Sequence, residues 1–448
     1  MKPLKIEKNQ DELFKNRLSN QLNPRHEMFI LSQIIPWEEL EKEFGDMHLD
    51  SGNGGQPPKP VRLMVGLLLL QHLHNLSDEI VVRTWVENPY WQYFCGYDYL
   101  EWQLPIDPSS LTRWRGRLGK ERLEKILALT VSVAVDSGTI KKKDLEKIIV
   151  DTTVMPKNIE FPTDSKLLNK SRRRLVKLAE ANGVVLRQNY NRKAKRLVRQ
   201  IGGYLHAKQM KRAKRAQKHL KTIVGRVKRD CERKIEGNAF LQEIFASELS
   251  MANHLLTRKV KDKKKIYSLH EPKVDCISKG KAHKKYEFGC KVALSITHPK
   301  GKAIITGCEA IAGNPFDGHT LKASIDLSEK ISGVEVKKVF VDNGYKGHGV
   351  EGKEVFLSRQ KRGLTPTIQK HINRRQAIEP HIGHMKQKVK LGLCRLHGVI
   401  GDQFNAILSA AAYNLRQILR HIRYIFIQIL WFIVVGNFKL MNNNKTAA

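Results

Sequence analysis

Residues 336–345 read Val-Lys-Lys-Val-Phe-Val-Asp-Asn-Gly-Tyr, a β-branched and aromatic run that ends on the acid Asp342 and passes directly into the turn pair Asn343-Gly344. Alternating apolar residues bounded by Asn-Gly predict a short strand with a carboxylate at its C-terminal end. A second run of this kind, LEKIIVDTTV (145–154), follows the basic helix end Lys141-Lys142-Lys143 and carries Asp151. It too reads as a buried strand. A third acid, Glu379, lies in the helical segment NRRQAIEPHIGHMK (373–386).

The segments around these acids set the fold class. KYEFGCKVALSITH and GKAIITGCEAIAG flank the turn His298-Pro299-Lys300-Gly301 and predict a β-hairpin. A helix is expected from about His319 to Ile331, then the strand ending at Asp342, a shorter strand EVFLS, and a helix from about Asn373 to Leu391. Strands and helices in this order predict an α/β sandwich with a mixed sheet. The segment before residue 140 reads as helical. Met28, Leu31 and Ile35 form a stripe ended by Pro36, Pro60 starts VRLMVGLLLLQHLHNL, and Ser77 caps a helix carrying Ile80, Val81 and Trp85. Ser51 to Pro58 reads as a loop.

Charge is unevenly distributed. The 448-residue chain is 41% apolar, enough for sizeable cores in two or three domains, and its formal net charge is +36. Residues 1–150 hold 20 Lys/Arg against 21 Asp/Glu, and residues 151–448 hold 60 against 23. The positive excess therefore lies with the three acids. Such a field attracts phosphates, and a generic RNA-binding surface is the alternative reading of charge alone. An acidic membrane surface fits less well, because the cations are spread over long stretches. The run Tyr424–Val435 is twelve residues broken by Gln428, short of the roughly 18–20 that a span needs.

Within residues 161–230 there are 22 Lys/Arg and 3 Asp/Glu. Helical character begins at Asp164, pauses at Gly183 and persists to about residue 258. Ala213, Ala216, Leu220, Ile223 and Val227 form a seam suited to a helical hairpin, while Lys208, Lys211, Arg212, Lys214, Arg215 and Lys218 form its back. One sign in such excess points to a polyanion, the alternative being a solvated face. In SLTRWRGRLG (110–119 with Ser109 as cap), Leu111, Trp114 and Leu118 share one face and Arg113 and Arg117 another. Either a DNA-recognition helix of a helix-turn-helix or an ordinary amphipathic helix has this pattern.

Acids at neighbouring strand ends, with a third on a packed helix, suit two divalent cations about 4 Å apart, and carboxylate oxygen favours Mg²⁺ or Mn²⁺. A turn cap is the competing reading of Asp342, and Asp151 alone carries the same alternative. On one continuous helix Arg375, Glu379 and Lys386 would fall at about 0°, about 40° and about 20°, an acid flanked by two cations. Pro380 predicts a kink just after Glu379. His381 and His384 lack further ligands at zinc spacing, and Asp317 in GNPFDGHTL reads as a turn and helix cap. No P-loop motif occurs, the six cysteines form no C-x-x-C pair, as expected of a reducing cytosol, and MKPLKIEKNQDELF lacks the apolar core of a secretory signal.

Five segments together carry a family resemblance: VDTTVMPKNIEFPTDSKLL, YSLHEPKVDCISKGKAHKKYEFG, GNPFDGHTL, VDNGYKG and RRQAIEPHIGHMK. Over nearly its whole length the chain resembles a bacterial insertion-sequence transposase of the DDE type, in the insertion-sequence five family. The resemblance implies an RNase H-like catalytic domain (141–425) with a basic helical insertion (about 164–260), an all-α N-terminal domain (1–140) for DNA binding or assembly, and a tail from 426. It implies Asp151, Asp342 and Glu379 as catalytic, metal-holding carboxylates. Arg375 and Lys386 match a family signature with gaps of three and six residues around Glu379, while its tyrosine position holds Ile372. The implied reaction is Mg²⁺- or Mn²⁺-dependent cleavage at transposon ends and transfer of the 3′-hydroxyl to target DNA, by two ions, in an assembled homo-oligomer in the bacterial cytoplasm. Partners are the terminal inverted repeats and target DNA, contacted by Arg375, Lys386, Arg113, Arg117, Lys211, Arg212, Lys214 and Arg215. A catalytically silent DNA-binding relative and a structure-specific nuclease of the same fold remain as alternatives.

Overall fold

Strand β1 (Lys147–Pro156) and strand β5 (Lys338–Val341) are parallel neighbours, with Lys147 opposite Lys338 and Val150 opposite Val341. Side chains alternate across a strand, so this pair faces two cores. Ile148, Val150, Val339 and Val341 pack with Leu321 and Ile325, whereas Ile149 and Phe340 join a larger core containing Ile372, Ile378 and Met385. Apolar residues on both faces are expected of strands that helices cover on each side.

The computed structural model describes residues 15–45, 58–259, 261–262, 265–278, 285–298, 301–360 and 362–445, with side chains to residue 428. The N-terminal stretch 1–14, the expected loop at 51–57, residues 279–284 of the family motif and the turn residues 299–300 lie outside them. Two units are distinct: Met1–Pro156 with Cys290–Ala448, and Lys157–Gly289.

In the first unit α1 (Leu18–Gln21), α2 (Glu27–Ile34), α3 (Trp37–Phe44), α4 (Val61–Leu73), α5 (Asp78–Glu87), α6 (Pro89–Phe94) and α7 (Ser109–Asp136) precede β1. Helix α4 is buried nearly all round, as its run of leucines requires. Ser77 caps α5 by accepting from the Ile80 N–H. At the start of α7, Asp107 rather than Ser109 takes the capping role, accepting the Ser109 N–H at 2.8 Å. Gly119, at φ 69°, breaks α7 into two helical pieces.

After β1 the unit resumes in β3 (Glu287–Thr297), β4 (Ile305–Ile311), α12 (Asp317–Ser332), β5, β6 (Glu354–Leu357), α13 (Pro366–Arg374), α14 (Ile378–Lys388) and α15 (Gly398–Lys445). Its strands lie in the order β4-β3-β1-β5-β6, with β3–β4 antiparallel and β1–β5 and β5–β6 parallel. The expected boundary near residue 140 falls inside this unit, because α7 packs on α15, α12 and β4 in one shared core. The expected tail from 426 is the continuation of α15.

Helix α15 also closes one edge of the sheet. Buried Asn414 accepts from Ile305 N–H at 2.8 Å, donates to Ile305 C=O at 2.9 Å and donates to Thr130 Oγ1 on α7 at 3.0 Å. Gln403 makes the same two-way bond with Ala310, at 3.1 and 2.7 Å. Two side-chain amides thus take the place of a missing strand. Asn414→Leu removes the partner of the Ile305 N–H and C=O, at about 1–3 kcal/mol for each buried group, while the Thr130 hydroxyl keeps its bond to Leu127 C=O. Denaturant unfolding is expected to show that loss, and a change below about 1 kcal/mol would refute the assignment.

The second unit is a helical bundle of α8 (Asp164–Ala181), α9 (Asn191–His206), α10 (Met210–Ile235) and α11 (Ala239–Thr257), with β2 (Asp275–Ile277) antiparallel to the first residues of β3. Ala213, Leu220, Ile223 and Val227 are buried in it, and α9 packs along α10 as an antiparallel hairpin. Gly183, at φ 68°, ends α8.

His298 closes β3 against β1, its N–H donating to Lys147 C=O and its Nε2 to His371 C=O at 3.0 Å, so that Nε2 carries the proton. Its ring also stacks at 4.5 Å from Phe340. Burial pushes the imidazole from its usual 6.5 down to about 4. Because the unfolded chain protonates at the higher value, this contribution is complete above pH 6.5 and is lost as pH falls toward 4. Unfolding midpoints measured across that window should drop for the wild type and flatten for His298→Gln. Equal slopes in the two proteins would exclude this source.

Candidate active site

Asp151 and Asp342 are the residues that follow the paired Val150 and Val341, so the β1–β5 register sets them side by side on neighbouring strands, about 4.8 Å apart along the ladder. Strand parity puts both on the face of Ile149 and Phe340, the face on which α14 packs against β1. Asp151 Oδ1 accepts the Thr152 N–H at 2.7 Å, and its Oδ2 lies 3.6 Å from Arg375 Nη1. Asp342 is exposed and caps the 3-10 turn Asn343–Tyr345, its Oδ1 accepting from Asn343 N–H at 2.6 Å and from Ser358 Oγ at 3.1 Å. The turn cap expected as a competing role is therefore present in the same carboxylate.

Arg375 and Glu379 do not share a helix. Residues Arg375–Ala377 form a 3-10 turn between α13 and α14, and the angular arrangement of Arg375, Glu379 and Lys386 expected for one continuous helix does not hold. Arg375 is 7% exposed and turned toward Asp151, Glu379 is exposed in the first turn of α14, and Lys386 is half-buried in its last turn. The predicted kink disappears for the same reason: Pro380 falls in the first turn of a new helix, where its missing N–H has no intrahelical partner to lose. Ile372, at the family's tyrosine position, is buried on α13.

Three side chains that the sequence reading passed over complete the surroundings. Thr152, on the opposite face from Asp151, donates to Asp317 Oδ1 at 3.0 Å. Lys291, buried on β3, donates to the same oxygen at 2.9 Å and to Pro315 C=O at 2.5 Å. Asp317 is thereby neutralised from within the sheet. Tyr345 is 1% exposed and its hydroxyl has no hydrogen-bond partner among the described residues. Burial, then the charges of Asp151, Asp317 and Asp342, raise its pKa. A lone lysine inside the apolar strand EFGCKVALSIT was the available signal for Lys291, and Tyr345 lay in the quoted VDNGYKG.

The donors present are hard oxygens, so the Asp151–Asp342 pair fits Mg²⁺ or Mn²⁺ better than a soft metal. Among the described residues no three His, Cys, Asp or Glu side chains stand together as a metal-holding group. The register unites two acids, and Glu379 stands on the adjacent helix. His381 Nδ1 is engaged with the Tyr413 hydroxyl, and burial, then His384 and Arg420, lower its pKa.

Apart from Arg375 and Lys386, the cations expected at DNA fall in two places. Arg113 and Arg117 are exposed on α7 and line a groove of about 630 Å³ with Lys59, Leu104 and Trp114. Lys211, Arg212, Lys214 and Arg215 are exposed on α10 of the second unit. No helix among the described residues is long and apolar enough to cross a membrane.

Residues 16–117 match the family model described as a transposase domain (DUF772), and residues 352–419 match that of a transposase DDE domain. The second match contains Arg375, Glu379 and Lys386. Over 209 residues the chain is 44% identical to the uncharacterized protein ORF8 in the nfe locus of Rhizobium meliloti, covering 47% of this chain and 100% of that protein. No solved structure matches. With both transposase-domain matches and a relative covered from end to end, the chain belongs to the insertion-sequence DDE transposases.

Proposed function

We propose that this transposase, of the insertion-sequence five family and with an RNase H-like catalytic fold, cuts DNA at the ends of its element and joins the freed 3′ ends to target DNA. The carrying observation is the placement of Asp151 and Asp342 at one level of parallel strands β1 and β5, with Glu379 on the helix that packs against β1. The strand order β4-β3-β1-β5-β6, antiparallel through the hairpin and parallel beyond β1, supports the fold assignment.

Asp151, Asp342 and Glu379 are the residues that would hold two Mg²⁺ or Mn²⁺ ions. Bound there, such ions activate a water or a sugar hydroxyl and stabilise the leaving oxygen of the phosphodiester. The chain's own groups prepare the site. Arg375 balances the Asp151 charge, and its Nε and Nη1 make no hydrogen bond among the described residues. Unspent donors on a buried cation are costly, and phosphate oxygens would satisfy them. Lys386 would add a second phosphate contact without base specificity. Lys291 holds Asp317 in an ion pair, apart from the Asp151–Asp342 pair. Arg113 and Arg117 on α7 and the α10 cations extend the DNA contact, the protein acting as a homo-oligomer on terminal inverted repeats in the bacterial cytoplasm.

The test is incubation of the full chain with Mg²⁺ and duplexes bearing the element's ends. Asp151→Asn, Asp342→Asn and Glu379→Gln should each reduce cleavage by more than the roughly 10–100-fold typical of losing an outer-sphere partner. End binding should survive, and chelation of the metal should abolish cleavage in the wild type. A variant that still cuts removes its residue from the site. Cleavage without joined product would make the protein a nuclease, and binding alone would make it a DNA-binding relative.

A further inference from the structure

The turn joining α9 to α10 combines features that neither the bundle nor the catalytic acids explain. From residue 181 to residue 229 there are 16 Lys/Arg and no Asp or Glu. At the tip, Leu205 is 45% exposed and Met210 50% exposed, with Lys208, Lys211 and Arg212 exposed beside them. The turn holds its shape through its backbone: Gln209 N–H donates to Tyr204 C=O at 2.8 Å and Lys208 N–H to Leu205 C=O at 3.1 Å, with Lys208 left-handed at φ 54°. The apolar pair is thus presented on a braced turn.

Two glycines precede the tip inside α9. Gly202 and Gly203 have helical backbone, and a Cβ on either would meet nothing within 4 Å. Packing therefore does not call for glycine, although glycine weakens a helix interior relative to alanine. Lys195, Arg199, Gly202, Gly203 and His206 fall at helical spacing on one exposed face, opposite buried Ala194, Leu197 and Ile201. Bare backbone beside cations suits the close approach of an outside chain of phosphates.

The geometry points to the α9–α10 tip as a wedge for duplex DNA, with Leu205 and Met210 entering between base steps while Arg199, Lys208, Lys211 and Arg212 grip the flanking phosphates and Gly202-Gly203 admit the sugar-phosphate backbone. Apolar wedges set among cations unstack a step and bend the duplex, so that it wraps more of the protein. The charge identifies the polyanion. A lipid surface is a poorer occupant, since the continuous apolar faces of α9 and α10 are buried in the bundle and two exposed side chains remain. The proposal rests on the transposase reading and gives its insertion a mechanical role.

Full-length protein is tested in metal-free buffer, on a duplex carrying the element's end and a fluorophore at each terminus. Binding by the wild type should shorten the end-to-end distance. Leu205→Ser with Met210→Ser should abolish that bend and weaken binding about tenfold, with an unchanged slope of affinity against salt, because no cation is removed. Gly202→Ala with Gly203→Ala should raise the thermal midpoint while weakening binding, a pair of opposite effects that a fault in folding cannot produce. Bending and affinity unchanged in both variants would overturn the proposal, as would a wild type that binds without bending. A shift of oligomeric state in the Ser variant with DNA bending intact would reassign the tip to a second copy, and a stronger bend with double-stranded RNA would reassign it to RNA. Failure of the transposase reading shows elsewhere, as a wild type that bends DNA but leaves it uncut when Mg²⁺ is added.

Discussion

The parallel register of β1 and β5 is the constraint on which the site depends. A slip of one residue in either strand would send its acid to the opposite face, because side chains alternate with a period of two. The register is protected from both sides. Ile148 and Val150 must stay level with Val339 and Val341 under α12, while Ile149 and Phe340 must stay in the larger core with Ile372 and Ile378. Three apolar positions on each strand therefore set the spacing of two carboxylates that contribute nothing to either core.

The polar groups near those carboxylates are arranged unevenly. Asp317 is paired with Lys291 and Thr152 on one face, whereas on the other, among the described residues, Arg375 is close to Asp151 with two of its nitrogens unbonded, and the Tyr345 hydroxyl is buried without a partner. Buried groups of this kind are uncommon in a settled interior. They stand beside Asp151 and Asp342, whereas Asp317 is held by Lys291 and Thr152.

Local features of the sequence were readable because they depend on neighbours in the chain: the Ser77 cap, the Gly183 stop, the β3–β4 hairpin, and the two strands beside the acids, although β1 runs on past Asp151 to Pro156. Interactions between distant segments were not. The stretch from Pro366 to Lys388 carries helical periodicity throughout, yet a 3-10 turn at Arg375 resets the phase and turns that arginine inward. Pro380 looked like an interruption and is a helix start. Nor does any local pattern in α7 or α15 announce that Asn414 would bridge Thr130 and Ile305 across nearly three hundred residues. That contact ties the N-terminal helices and the sheet into one core.

The acid-free stretch of α9 and α10 has a consequence for the protein on its own. With no carboxylate between residues 181 and 229, the hairpin has its counter-charge only near the end of α10, where Asp230 and Glu232 pair with Arg233 and Lys228, and the cations nearer its tip repel one another across a surface where screening reaches about 8–10 Å at ordinary ionic strength. Dissolved salt then acts in opposite directions on the two states of the molecule: it relaxes the isolated bundle and loosens its hold on a polyanion. On the proposed function, a bound nucleic acid would supply the counter-charge that this stretch lacks, and the bundle would be most settled with it in place.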